Sequence, residues 1–231
     1  MAAFQRAVDL GYAYVETDVQ ATGDGVLLAF HDGSLDRVTD RTGRICELPY
    51  AQVAEARIGG EEPIPLRLDL LTAFPGVRFN IDSKHPATLR PLVDVLTRTR
   101  ALDRVCLASF SDRRLDYLRK ALGPDVCTSL GPREVARLTA ASLPGPLGHW
   151  RPPRFPSTAR CVQVPPGAGP LPLVTRRFVE TSHRLGLAVH VWTLDEANQI
   201  DRVLDLGVDG VMTDRPEVLR DVLLRRGQWQ G

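Results

Sequence analysis

Glu16-Thr17-Asp18 places two carboxylates two residues apart in Tyr14-Val-Glu-Thr-Asp-Val19, a run whose β-branched and aromatic content reads as a strand. On a strand, side chains at i and i+2 share a face, so Glu16 and Asp18 point the same way while Val15, Thr17 and Val19 fill the other. Two carboxylates turned toward an interior repel each other and lose solvation unless something positive stands between them. A second run, Phe79-Asn80-Ile81-Asp82-Ser83-Lys84, repeats the alternation and adds a third carboxylate and a cation. Three carboxylates with no nearby thiol describe a site for a hard divalent cation, Mg²⁺ or Ca²⁺ before Mn²⁺.

Between these runs lies Asp24-Gly25, a strong two-residue hairpin signal, followed by Leu27-Leu28-Ala29-Phe30-His31-Asp32. With Asp24 and Gly25 as the turn, Gly23 pairs with Val26, Val19 with Phe30 and Asp18 with His31. Directly opposed residues stand roughly 5 Å apart on one face, so this register brings the His31 imidazole beside the carboxylates. A slip of one residue would turn His31 to the other face. Asp32, next along the strand, points away from His31 by the same alternation and is read as a turn or supporting residue.

These side chains need a scaffold. Strand-like runs occur at Tyr14–Val19, Val77–Ser83, Val105–Phe110, Val126–Leu130, Cys161–Val164, Leu187–Thr193 and Gly210–Thr213. Helical patterns fall at Ala3–Leu10, Ala87–Arg98, Asp112–Leu122, Pro132–Ala140, Leu173–Leu185, Asp195–Leu206 and Pro216–Leu224, several of them closed by a glycine. Unbroken alternation of strand and helix predicts a parallel sheet covered by helices, most naturally a TIM-type (β/α)8 barrel. Seven parallel strands are countable where a closed barrel needs eight, and the chain opens on a helix. The expectation is a barrel lacking its first strand in this chain, with a small β-hairpin insertion after the first strand seen. The proline-rich stretch over residues 143–158 reads as a long connection, either a solvated loop or a lid.

Composition excludes several other classes. The 231 residues carry 29 basic against 28 acidic side chains, 43% are hydrophobic and 25% charged, which is globular rather than disordered. No apolar run approaches the roughly 20 residues that span a bilayer, so no integral membrane segment is expected. Charge is balanced and forms no basic block, so no nucleic-acid footprint is read. Lys84 and Lys120 are the only lysines, which singles out Lys84 on the charged face. Cys46, Cys106, Cys127 and Cys161 show neither CxxC nor ligand spacing and read as free thiols of a reducing compartment. Trp192 has two readings, stacking on a substrate or packing at a rim; His190 reads as a satisfied core histidine.

The succession Gly11-x-x-Tyr-Val-Glu16-Thr-Asp18-Val, Thr22-Gly-Asp-Gly25-Val and His31-Asp32-x-x-Leu35-Asp-Arg37-x-Thr39 resembles the glycerophosphodiester phosphodiesterase family. The likeness continues through Ile64-Pro65-Leu66, Asn80-Ile-Asp82-x-Lys84, Ser109-Phe110, Val191-Trp192-Thr193 and Gly207-Val-Asp-Gly-Val-Met-Thr-Asp214-x-Pro216. It implies a single barrel domain over residues 1–231 that cleaves glycerophosphodiesters to glycerol 3-phosphate and an alcohol with a divalent metal, Mg²⁺ or Ca²⁺. Carried over by position, Glu16, Asp18 and Asp82 are metal ligands and His31 is one of two catalytic histidines. Lys84 and Trp192 face the substrate.

Members of that family begin with a strand ending in His-Arg-Gly and a loop close to Pro-Glu-Asn-Thr, neither of which precedes the first helix here. The expectation is that Met1 is internal to a longer natural protein and that the first catalytic histidine lies upstream. A catalytically impaired remnant and a sphingomyelinase-D-like lyase are the alternatives. A cytoplasmic location is expected, unless a signal sequence belongs to that upstream part.

Overall fold

The computed structural model describes residues 1–143, 153–169 and 171–230, so most of the proline-rich connection lies outside the described residues. The chain divides into two compact units, Met1–Cys127 and Thr128–Gly231.

In the first unit, α1 (Ala2–Asp9) stops at Gly11, whose φ of 98° lets its N–H reach Val8 O and the next N–H reach Ala7 O. β1 (Tyr14–Ala21) then pairs antiparallel with β2 (Leu27–Ala29). After β2 the chain builds a small cap: α2 (Tyr50–Val53) and the two-residue strands β3 (Arg57–Ile58) and β4 (Glu62–Pro63). The cap has its own apolar centre of Leu28, Phe30, Leu35, Ile45, Val53 and Ile64, so the expected hairpin insertion is larger than a hairpin. The chain continues through α3 (Arg67–Ala73), β5 (Arg78–Ser83), α4 (Leu89–Thr99), β6 (Val105–Ala108) and α5 (Asp112–Leu122).

β5 lies parallel to β1 on one side and to β6 on the other. Val19, Phe79, Ile81 and Leu107 on these strands bury against Leu92, Leu96 and Leu118 of α4 and α5. Alternation therefore leaves Glu16, Asp18, Asn80 and Asp82 on the opposite face. Among the described residues no strand ladder runs along Tyr14–Thr17 on the side away from β5.

The second unit repeats the plan with β7 (Cys127–Ser129), α6 (Pro132–Ser142), β8 (Ala159–Val164) and the short hairpin β9 (Gly167–Ala168) and β10 (Leu171–Pro172). It closes with α7 (Arg176–Arg184), β11 (Ala188–Val191), α8 (Ala197–Asp205), β12 (Gly210–Val211) and α9 (Pro216–Arg225). β8 is parallel to β7 and β11, and β12 is parallel to β11. All seven parallel strands of the sequence reading are present. No helix among the described residues is long and apolar enough to cross a membrane, and the four cysteines are free thiols.

Candidate active site

Parallel pairing of β1 with β5 sets Glu16 opposite Asn80 and Asp18 opposite Asp82. Lys84, just past the end of β5, returns its Nζ to 2.9 Å from Asp18 Oδ1 and 3.1 Å from Asp82 Oδ2. The two carboxylates thus share one ammonium, and the Phe110 ring lies 5.5 Å from that Nζ. Asp82 is 5% exposed, and its other oxygen, Oδ1, is buried with no hydrogen-bond partner. Burial pushes the Asp82 carboxyl above the usual carboxylate range, against the pull of Lys84 and, more weakly, of Arg114; neighbouring Asp18 adds to the rise. Burial works to lower the Lys84 ammonium, but hydrogen bonds and charge from Asp18 and Asp82 outweigh it and hold its pKa above the ordinary value.

His31 reaches the site by a different register from the one expected. The ladder pairs Val19 with Ala29, Gln20 with Leu28 and Ala21 with Leu27, one residue off the two-residue-turn reading. The turn is a three-residue loop. Thr22 N–H bonds Val26 O, Gly25 N–H bonds Thr22 O, and Gly25 takes a φ of 86°. Asp24 accepts from the Thr22 hydroxyl and from the Tyr50 N–H, which ties the loop to the cap and selects this longer turn. Phe30, rather than His31, therefore stands across from Asp18, and its N–H donates to Asp18 O at 3.0 Å.

His31 lies beyond the ladder, where strand alternation no longer dictates direction. Gln20 Nε2 donates to His31 O at 3.0 Å and ties this backbone to β1. For the same reason Asp32 does not point away, as alternation implied: His31 Nδ1 and Asp32 Oδ1 are 2.6 Å apart. Arg37 clamps the same carboxylate, with Nε 2.6 Å from Oδ2 and Nη2 2.9 Å from Oδ1. The Arg37 and His31 hydrogen bonds bring Asp32 down to about 2. An ionised carboxylate only accepts, so Nδ1 of His31 carries the hydrogen and Nε2 is left to exchange a proton. No hydrogen bond or ion pair joins the His31 side chain to Asp18, Asp82 or Lys84.

Glu16 is exposed and lies within electrostatic reach of Arg67, a fully buried guanidinium stacked 4.3 Å from the Phe79 centroid. Among the described residues no three His, Cys, Asp or Glu side chains gather into a group that could hold a metal ion. Trp192 is half-buried and belongs to the second unit, where its N–H bonds Val164 O. The sequence reading passed over Arg114. Its Nε donates to Ser109 Oγ at 2.7 Å, and Ser109 Oγ donates to Ser83 O at 2.8 Å. Its signal was available, as an arginine three residues past the Ser111 cap of a helix that follows a site strand.

With this geometry in place, the sequence profile of the Glycerophosphoryl diester phosphodiesterase family matches residues 1–218. The chain belongs to that family. A relative from Mycobacterium tuberculosis (strain ATCC 25618 / H37Rv), "Probable glycerophosphodiester phosphodiesterase 2", is 41% identical over 232 residues, spanning 100% of this chain and 87% of the relative. Two solved structures share the fold. The glycerophosphodiester phosphodiesterase from Agrobacterium tumefaciens str. C58 has a TM-score of 0.73 at 21% identity, over 94% of this chain and 90% of that one. The Oleispira antarctica phosphodiesterase OLEI02445, solved with the product sn-glycerol-3-phosphate, has a TM-score of 0.76 at 21% identity, over 96% and 90%. Family membership makes this chain a phosphoric diester hydrolase by descent and its fold that of the TIM-barrel phosphodiesterases.

Proposed function

We propose that this family member hydrolyses glycerophosphodiesters, releasing glycerol 3-phosphate and an alcohol. The observation that carries the reading is the Asp18–Lys84–Asp82 ion triplet, with Asp82 Oδ1 buried and unpartnered, at the carboxyl end of β5 and at the position of β1 in register with it. Polar groups placed there in a barrel fold serve chemistry, because stability alone favours an apolar face. The donor set fits a hard divalent cation: carboxylate oxygens only, one of them buried without a partner. Asp18 and Asp82, with Glu16 as third ligand, would hold Mg²⁺ or Ca²⁺ once drawn together around the ion; as they stand Lys84 bridges the two aspartates and the three carboxylates do not gather into one group. When bound, such an ion neutralises the phosphodiester and lowers the pKa of an attacking water or hydroxyl.

The remaining roles fall to the chain itself. Lys84 offsets charge on the non-bridging phosphate oxygens. His31, held by Asp32 in the tautomer with Nε2 free, is one of the two acid–base groups, taking a proton from the attacking oxygen or giving one to the leaving alkoxide. Asp32 and Arg37 hold that imidazole in position.

The test is release of glycerol 3-phosphate from glycerophosphocholine, followed with Mg²⁺ or Ca²⁺ and after chelation. Turnover that stops on chelation and returns with the ion is expected. A cyclic phosphate product, or turnover that survives exhaustive chelation, overturns the reading.

A further inference from the structure

Resting on that reading, we propose that Arg114 binds the non-bridging phosphate oxygens of substrate and product, offering its two Nη groups as a fork beside Lys84. Ser109 is 6% exposed and sits just past Ala108, the β6 residue in register with Asp82. Its hydroxyl proton goes to Ser83 O, between Asp82 and Lys84, which leaves a lone pair to receive Arg114 Nε. Two hydrogen bonds, 2.8 and 2.7 Å long, therefore bind the guanidinium to the segment that carries the ion triplet. The attachment uses Nε alone. Among the described residues Nη1 and Nη2 make no hydrogen bond, and no carboxylate pairs with Arg114.

The helix itself does not favour an arginine here. Arg114 stands in the first turn of α5, where the positive end of the helix dipole disfavours a cation. Charge does account for it. Without a divalent ion Asp18, Asp82 and Lys84 together carry one formal negative charge, which repels phosphate; with Mg²⁺ or Ca²⁺ bound they carry one positive charge, spent largely on the carboxylates that hold the ion. In either state Arg114 adds a positive charge within reach of the buried Asp82. A guanidinium fixed through Nε presents both Nη groups in one plane, the geometry that two oxygens of a tetrahedral phosphate accept. Lys84 cannot serve alone, because both carboxylates already engage its Nζ.

The experiment titrates sn-glycerol 3-phosphate and inorganic phosphate into the full chain by calorimetry, in Mg²⁺ buffer. It compares wild type with Arg114→Gln, Arg114→Lys and the exposed neighbour Arg113→Gln, each checked for an intact thermal transition. Arg114→Gln should weaken both ligands by about tenfold to a hundredfold. Arg114→Lys should recover part of the loss, since it keeps the charge without the fork. Arg113→Gln should match wild type. Undiminished binding by Arg114→Gln, or an equal loss in Arg113→Gln, overturns the assignment of Arg114 alone. If Arg114→Gln fails to fold, full wild-type affinity in Arg114→Lys overturns the fork. A wild type that binds neither ligand overturns the glycerophosphodiester reading, and this assignment with it.

Discussion

The two units build their parallel strands by one rule and spend the second face of those strands differently. In the first unit Val19, Phe79, Ile81 and Leu107 are buried, and the opposite face holds Glu16, Asp18, Asn80 and Asp82. In the second, Val162, Val164, Val189 and Val191 are buried just as deeply, but the opposite face holds Cys161, Gln163, Ala188, His190 and Gly210. That face is neutral. His190 meets Gln163 at 3.5 Å and closes over Gly210. Packing explains such a face, whereas desolvated carboxylates need a ligand or a reaction to justify them. The two histidines therefore make the sharpest comparison. His31→Gln should lower kcat for glycerophosphocholine by about 10²–10⁴-fold, while His190→Gln should leave it close to wild type. Equal losses in the two variants would erase the functional difference between the faces.

Removing the cation from the charged face tests its energetics. Lys84→Met leaves Asp18 and Asp82 facing each other with only the weaker pull of Arg114 as counter-charge, a loss of about 2–4 kcal/mol in metal-free buffer. Denaturant unfolding measures it. Mg²⁺ or Ca²⁺ should restore most of the difference in Lys84→Met and add less to wild type, because a bound ion replaces the missing ammonium. Stability that is low and indifferent to divalent ions would separate the triplet from any metal role.

The parts that followed hydrophobic period were legible in the sequence. Glu16, Asp18, Asp82 and Lys84 were placed on one face by alternation alone, and β1, β5 and β11 fall where β-branched runs put them. The His31 register was not legible. Asp24-Gly25 favours a two-residue turn locally, and the deciding bond comes from Tyr50, 26 residues on, in a cap with no strong periodic signal. α3 was missed because Arg67 breaks its apolar pattern at a position that is fully buried. Its guanidinium finds an aromatic face rather than a hydrogen-bond partner, and burial, with the like charge of Arg104, lowers its pKa to about 9. Arg114 went unread because a helix-surface arginine looks ordinary until Ser109 is seen to hold it.

On the neutral face the expected effects are smaller and purely steric. A Cβ added at Gly210 would stand 2.9 Å from His190 Cδ2, closer than side chains tolerate. Gly210→Ala should cost about 1–3 kcal/mol by overpacking, read from thermal or denaturant unfolding. The same substitution in a His190→Ala background should cost much less, since the colliding ring is gone. Additive costs would show that the second face is not packed around His190.

The smallest effect separates two carboxylates that the first unit displaces in opposite directions. Asp82 is raised by burial, whereas Asp32 is drawn down to about 2 by Arg37 and His31. For Asp32, a folded value below the unfolded one of about 3.9 means that its stabilisation is present above that pH and lost as pH falls through about 2. Arg37 and His31 are both largely solvent-exposed, so screening keeps the contribution to stability small. The titration itself is the better readout. Side-chain carboxyl ¹³C shifts should give Asp32 a midpoint near pH 2 and Asp82 one above the ordinary carboxylate range. Arg37→Gln should move the Asp32 midpoint upward and leave that of Asp82 in place. Coincident midpoints would show that Asp32 is not held as an anion beside His31, and the tautomer assigned to that imidazole would lose its cause.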